Sequence, residues 1–291
     1  MNDGAMDPQL RSAYEECRRM HRRHDPTYYW ATRRLPRHVR SAVHALYGYV
    51  RAADELVDGA ARPASAEERR AALEGWKRQL DEGLAKGGSE QPVIAALVDA
   101  GRRHELPLGE LDVYMRSMQR DCGPVRMQTP AELDEYMRGS AAAIGLIMAP
   151  LLGAPAAHRD GFGQMGVAFQ LTNFVRDVRE DFALDRVYLP REDLERFEVT
   201  EDDLAGGSAT PGFRSLIALE VGLARSLFDR TAPAARSAAP EMRRGIELAR
   251  NVYIRMLDRI EARGFDVLSS PTRLFPWHVA SAVLKAVRAR P

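Results

Sequence analysis

Apolar residues recur along this chain at helical spacing almost from end to end. From Pro36 the positions Val39, Val43, Leu46, Tyr47 and Val50 repeat every three or four residues and run on into Asp54 and Asp58. That is the stripe of a helix with one buried face. Leu73, Trp76 and Leu80 form a narrower stripe on the charged segment 66–84. Further helices are predicted over 14–24 (basic and rich in arginine), 92–104, from Pro107 through Met118, and over 158–180, 213–232 and 240–262. Thr27 is placed to cap the aromatic segment 28–34, and Thr129 and Glu132 have the spacing of a capping box. Glycine, proline and serine interrupt the pattern at 59–65, 87–89, 123–124 and 206–212. The segment 181–190 must leave its helix, because Tyr188-Leu189-Pro190 is extended in character. No run reads as a strand, and no repeat of constant period occurs. The predicted fold is all-α, one domain over 1–291, with looser ends at 1–13 and 270–291.

Two polar stripes break the apolar pattern. Tyr47, Arg51, Asp54 and Asp58 fall on one helix face, and Gln170, Asn173, Asp177 and Asp181 fall on another. In each, two carboxylates project a turn apart where a core helix would be apolar. Such a pair repels itself unless a cation sits beside it. A lone pair of this kind is usually a solvated face; two in one chain point to a cleft in which they face each other. Oxygen ligands without histidine or cysteine suit a hard cation, Mg²⁺ first and Mn²⁺ as an alternative. Because Mg²⁺ fills its remaining positions with water and phosphate oxygens, with Arg51, Arg176 and Arg186 near by, the constellation reads as a diphosphate site. Aromatic residues such as Tyr28, Tyr47 and Phe169, with several methionines, could line an apolar tunnel. Their default reading is core.

Composition narrows the field. The chain has 291 residues, 45% hydrophobic and 29% charged, an ordinary balance for a globular protein with a sizeable core. Formal charge is +1, so no global basic field for nucleic acid exists. Cys17 and Cys122 cannot build a disulfide framework. The N-terminus lacks a signal-peptide core. The uncharged apolar run 141–157 is broken by glycine and proline and falls short of the roughly 20 residues of a membrane span. A cytoplasmic protein is expected. Oligomeric state is not readable, and His21, His24, His38 and His44 show no metal-like pattern.

DELVDG at 54–59, after HALYGYVRAA, and FQLTNFVRDVREDFALDRVYLP at 169–190 resemble the squalene and phytoene synthases, head-to-head prenyl synthases of the all-α isoprenoid synthase fold. The likeness runs from YEECRRMHRRHDPTYYWATRRLP at 14–36 to RNVYIRMLDRIEARGFDVL at 250–268 and is closer to the phytoene branch. It implies a helical bundle around a central cavity with two facing Asp-rich helices. It also implies metal ligation by Asp54, Asp58, Asn173, Asp177 and Asp181, with Glu55 and Glu180 in supporting roles at most. Tyr136 matches a tyrosine thought to assist the cyclopropane steps. Thr27, Tyr47, Arg51, Gln170, Asn173, Arg176, Arg186, Tyr188 and Tyr253 match residues near the diphosphates. The implied substrates are two prenyl diphosphates joined through a cyclopropylcarbinyl diphosphate. Proton loss ends the reaction in phytoene-type enzymes, and NADPH is used only by squalene synthases. Tyr28, Thr32, Phe169 and Ala142 are expected on the tunnel wall. Thr32, being small, favours C20 over C15 chains. An insoluble product would suit transient contact with a membrane through the arginine-rich N-terminal helix or the tail after Leu268. Three stretches depart from the family pattern: Ser140-Ala141-Ala142 in place of a Val-Ala-Gly segment, FALD at 182–185 in place of a glycine-ended basic turn, and SSPTRLFPWHV at 269–279. The alternatives are a farnesyl-using dehydrosqualene or squalene synthase, a relative with a divergent product, and a non-catalytic helical scaffold.

Overall fold

The computed structural model describes residues 6–272. The helices in chain order are α1 (Pro8–His24), α2 (Pro26–Thr32), α3 (Arg37–Asp58), α4 (Ala66–Lys86), α5 (Pro92–His104), α6 (Glu110–Arg120) and α7 (Pro130–Met137). They continue with α8 (Ala143–Leu151), α9 (Arg159–Ala183), α10 (Arg191–Arg196), α11 (Glu201–Ala205), α12 (Pro211–Ser237) and α13 (Pro240–Ala262). The architecture is all-α, as the periodicity predicted. One parallel pairing of two residues, β1 (Val125–Arg126) with β2 (Arg186–Val187), is too short to leave a periodic signal.

Local chemistry sets the helix ends. Ser65 and Glu68 form a complete capping box on α4, each side chain bonded to the other's backbone N–H at 3.1 and 3.0 Å. On α7 only half of the predicted box forms. Thr129 accepts from the Glu132 N–H at 3.1 Å, but the Glu132 carboxylate turns to the Gln128 N–H and to Arg120. The cap of α2 is Asp25, not Thr27: its carboxylate accepts from the Tyr28 N–H at 2.8 Å, with Pro26 in the first helical position. Thr27 lies inside that helix, and its side chain falls outside the described residues. Helix α9 runs past the predicted exit, so Asp181 is helical and the chain leaves only after Ala183. The N-terminal helix likewise begins at Pro8, earlier than the pattern indicated. Residues 273–291, which hold most of the expected loose end, lie outside the described residues.

Among the described residues the core forms two large clusters, one built mainly on α1, α3, α4, α5, α6 and α8 and the other mainly on α9, α12 and α13, with Phe169 packed against both, and a small third one of Ala31, Leu248 and Val252. A single π turn, Arg138–Ala142, joins α7 to α8. The contact of this turn and α8 with α9 is close enough to demand glycine. A Cβ on Gly145 would lie 2.2 Å from the Phe162 carbonyl oxygen, and one on Gly166 would lie 2.5 Å from that of Ala141. These two positions hold α9 against the wall of the site.

Candidate active site

On α3, Arg51 pairs with both Asp54 and Glu55, and Glu55 also meets His24 from the end of α1 at 3.6 Å. Burial raises the Asp54 carboxyl above its usual range, with Arg51 opposing the shift. Asp58 accepts both terminal nitrogens of Arg186, at 2.8 and 2.5 Å. That bidentate pair joins α3 to the strand after α9. On α9, Arg176 grips Asp177 in the same forked manner, its Nε at 2.6 Å. One turn on, burial and then the charge of Asp177 push Asp181 up to about 8, although Arg186 and Arg176 pull the other way. Asn173 Oδ1 is buried without a hydrogen-bond partner.

Asn173, Asp177 and Asp181 are oxygen donors of the kind a hard divalent cation takes. A divalent ion beside Asp177 would relieve both the raised Asp181 carboxyl and the unpartnered amide oxygen of Asn173, one turn before Asp177. Among the described residues no three acidic, histidine or cysteine side chains form a closed cage. Mg²⁺ does not need one, since it takes one or two carboxylates and completes its shell with water and phosphate.

A second assembly surrounds Tyr136, which is 2% exposed. Its hydroxyl donates to Asp121 at 2.5 Å, and Tyr188 donates to the other Asp121 oxygen at 2.9 Å. Arg186 Nη2 reaches the Asp121 carbonyl at 2.6 Å. One buried carboxylate thus orients two tyrosines, and its neighbour Arg186 holds Asp58. Burial raises the Asp121 carboxyl to about 6, against the hydrogen bond from Tyr136, the charge of Arg186 and the hydrogen bond from Tyr188. No local pattern marks Asp121, a lone acid before the turn at Gly123-Pro124.

Two connected spaces lie along α9. A mouth of about 650 Å³ is lined by Arg176, Asp177, Glu180 and Asp181, with Pro271 and Thr272 at its rim. It shares Asp25, Tyr28, Ala31, Asn173, Ala249 and Tyr253 with an apolar tunnel of about 270 Å³. Tyr28, Thr32, Phe169 and Gln170 line that tunnel, and Phe169 packs on Tyr253 with ring centroids 4.5 Å apart. Ala142 does not line it. The π turn adds a residue to its helical circuit, which presents Ser140 and Ala141 to the tunnel and leaves Ala142 in the second core cluster. Asp25 is a further acid at the junction, read in the sequence only as a helix breaker. Asp54, Asp58 and Tyr136 line neither space; the α3 carboxylates are held in ion pairs with Arg51 and Arg186. Tyr47 stacks on His21 at 4.0 Å, and Tyr188 stacks on Phe174 at 4.1 Å.

The chain is similar to known proteins over most of its length. The chain is 34% identical over 272 residues to the phytoene synthase of Thermus thermophilus, covering 93% of this chain and 91% of that one. It is 33% identical over 273 residues to the 15-cis-phytoene synthase of Synechocystis sp., covering 89% and 80%. The fold matches a dehydrosqualene synthase with a TM-score of 0.88 at 22% identity, over 96% and 97% of the two chains. A squalene synthase from Alicyclobacillus acidocaldarius matches with a TM-score of 0.80 at 30% identity, over 89% and 97%. The sequence profile for squalene/phytoene synthase matches residues 21–281. With the two acidic helices, the arginines between them and the tunnel behind, the chain belongs to the squalene/phytoene synthase family.

Proposed function

We propose that this protein condenses two molecules of geranylgeranyl diphosphate head to head, through a cyclopropylcarbinyl diphosphate, to phytoene and diphosphate. The observation that carries this reading is the junction of an apolar tunnel with a mouth lined by Arg176, Asp177 and Asp181. An amphiphile with a long hydrocarbon and a doubly phosphorylated head fits such a space, and the phytoene synthases at 33% and 34% identity support the same reaction.

Asp54, Asp58, Asn173, Asp177 and Asp181 would hold Mg²⁺, or Mn²⁺ in its place, which supplies Lewis-acid stabilisation to a departing diphosphate. Arg51, Arg176 and Arg186 would exchange carboxylate partners for phosphate oxygens, since a guanidinium fork fits phosphate as it fits carboxylate. Thr27, Tyr47, Gln170, Tyr188 and Tyr253 complete the diphosphate surroundings in this reading. Phe169, Tyr28 and Tyr253 keep water from the allylic cation and offer it their ring faces. Tyr136, its hydroxyl fixed by Asp121, serves the cyclopropane steps. Proton loss ends the reaction without a reductant. The small side chain of Thr32 on the tunnel wall favours C20 chains.

The squalene synthase at 30% identity supports a second reading, use of farnesyl diphosphate with NADPH as reductant. Incubation with C15 and C20 diphosphates and Mg²⁺, with and without NADPH, followed by mass analysis of extracted lipid, separates the two. A C40 product without NADPH is expected; a C30 product would overturn the chain length, and no turnover would overturn the enzyme. Asp54→Ala and Asp177→Ala should each lower turnover at least about 10²-fold with helical circular dichroism unchanged. Loss of helicity instead would make the stripes structural. Among the described residues no helix is long and apolar enough to cross a membrane. A cytoplasmic protein that touches the inner face of the membrane to release its product fits this reading.

A further inference from the structure

We propose that the cleft between α1, α2 and the start of α3 docks the protein on an anionic lipid surface. Headgroup phosphates would sit among its arginines, and Trp30 in the interfacial layer. The charge of this region is segregated. Between Arg18 and Arg40 the chain carries eight arginines and one carboxylate, although its overall charge is +1. That carboxylate, Asp25, faces the tunnel and its mouth rather than the cleft.

The cleft has a volume of about 390 Å³, with Arg18, Arg22, Arg33 and Arg40 on its walls beside Tyr29 and Trp30, and no acid among them. Two of the four arginines are already committed. Arg18 is bonded to Glu15 and to the Tyr29 hydroxyl, and Arg40 donates to the Leu35 carbonyl at 2.6 Å. Among the described residues neither Arg22 nor Arg33 has an ion-pair partner, and the Arg33 guanidinium lies 4.9 Å from the centre of the Trp30 ring. Trp30 is 53% exposed. A tryptophan beside free guanidinium groups is the composition of a lipid interface, where the indole sits at headgroup level and the cations meet phosphate.

Helix α2 ties this surface to the site. Tyr28, Ala31 and Thr32 line the tunnel, while Tyr29, Trp30 and Arg33 belong to the cleft. One helix, about 10 Å thick, therefore separates the hydrocarbon space from the docking face. The choice of a lipid surface over a soluble anion rests on the proposed function, whose product dissolves only in a bilayer. The basic cleft itself does not depend on it.

The test is co-sedimentation of the full chain with vesicles of phosphatidylcholine alone and of phosphatidylcholine rich in phosphatidylglycerol, at one ionic strength. Binding to the anionic vesicles alone is expected. R22E/R33E should weaken it at least about tenfold, since each basic residue near such a surface contributes separately. Trp30→Ala should weaken it several-fold. Turnover of detergent-dispersed substrate should be unchanged in both variants, which also reports that they fold. Equal binding to neutral vesicles, or undiminished binding by R22E/R33E, would overturn the proposal. Displacement by inorganic phosphate, but not by chloride at the same ionic strength, would assign the cleft to a soluble anion and overturn it too. Vesicle binding without turnover would sink the catalytic reading and leave the docking surface standing; turnover without vesicle binding would do the reverse.

Discussion

Asp121 supports two tyrosines and adjoins the arginine that holds Asp58, so its protonation state reaches the whole polar end of the site. As a carboxylate it accepts from both Tyr136 and Tyr188; once protonated, it must give up one of those bonds or donate. With its carboxyl raised to about 6 by burial, activity should fall on the acid side with an apparent pKa near that value. Asp121→Asn should lower kcat about 10²-fold and remove that acid limb from the rate profile, while Asp121→Glu restores part of both. A limb that persists in the Asn variant would place the titration elsewhere. A second residue-scale effect comes from His21 and His44, buried with their Nδ1 atoms 2.9 Å apart and His21 stacked beneath Tyr47. Burial pushes His21 down to about 3, with the charge of His44 adding to it. Burial also pushes His44 down to about 4, helped by Arg18 and Arg40. Below the ordinary histidine value of 6.5 the unfolded chain therefore binds protons that the folded chain refuses. Stability contributed by the neutral pair is complete above pH 6.5 and is lost as pH falls towards 4. Between pH 7 and 5 the wild type should lose about 2–4 kcal/mol more, in urea unfolding, than the apolar variant His21→Leu with His44→Phe. Equal losses would mean that both histidines titrate normally.

At the scale of elements, the turn after α9 shows how local strain and sequence departure coincide. Asp185 takes a left-handed backbone, φ 61°, where relatives are expected to carry glycine. Its carboxylate, 60% exposed, pairs with Arg126 at 2.7 Å, and its carbonyl accepts from the Val125 N–H at 3.0 Å to open the β1–β2 pairing. An exposed ion pair contributes at most about 1 kcal/mol, while a left-handed residue with a Cβ costs about 1–2 kcal/mol. The two effects nearly offset in Asp185→Gly, which should melt close to the wild type. Asp185→Ala loses the pair and keeps the strain, and should be about 1 kcal/mol less stable than the glycine variant in thermal melts. The helices were legible because their signals are local: Pro92 and Pro240 open α5 and α13, Ser65 and Glu68 box α4, and the apolar stripe of α3 survives in every turn. The two acidic stripes were legible for the same reason, as i and i+4 spacing needs no knowledge of the fold. Asp121, the Arg186–Asp58 pair and the two-residue ladder were not, because each depends on groups dozens of residues apart that meet only after packing. The π turn escaped for a different reason: one extra residue per turn leaves the small-residue composition of 138–142 unchanged while it exchanges Ala142 for Ala141 on the tunnel wall.

For the whole molecule, the tunnel is where packing becomes specificity. Its walls come from α2, α3, α8, α9, α13 and the π turn, so its depth is a property of how distant segments pack rather than of any motif. Thr32 is 2% exposed to solvent and lines it one turn beyond Tyr28, with Leu35 a turn further on. Five additional carbons distinguish a C20 chain from a C15 chain. At about 0.8 kcal/mol per buried methylene, a tunnel that admits them gains about 4 kcal/mol for the longer substrate, several hundredfold or more in preference. Thr32→Phe would place a ring where those carbons lie and add no charge or unpaired polar group. The variant should keep its helical signal, lose most C40 formation, and form C30 product when given the C15 diphosphate with Mg²⁺. The arginines and acids of the mouth are untouched by that change, so the total rate of diphosphate release from the C15 substrate should fall less than about tenfold. Phenylalanine at position 32 with C40 output unchanged would show that the chain end runs elsewhere in the tunnel.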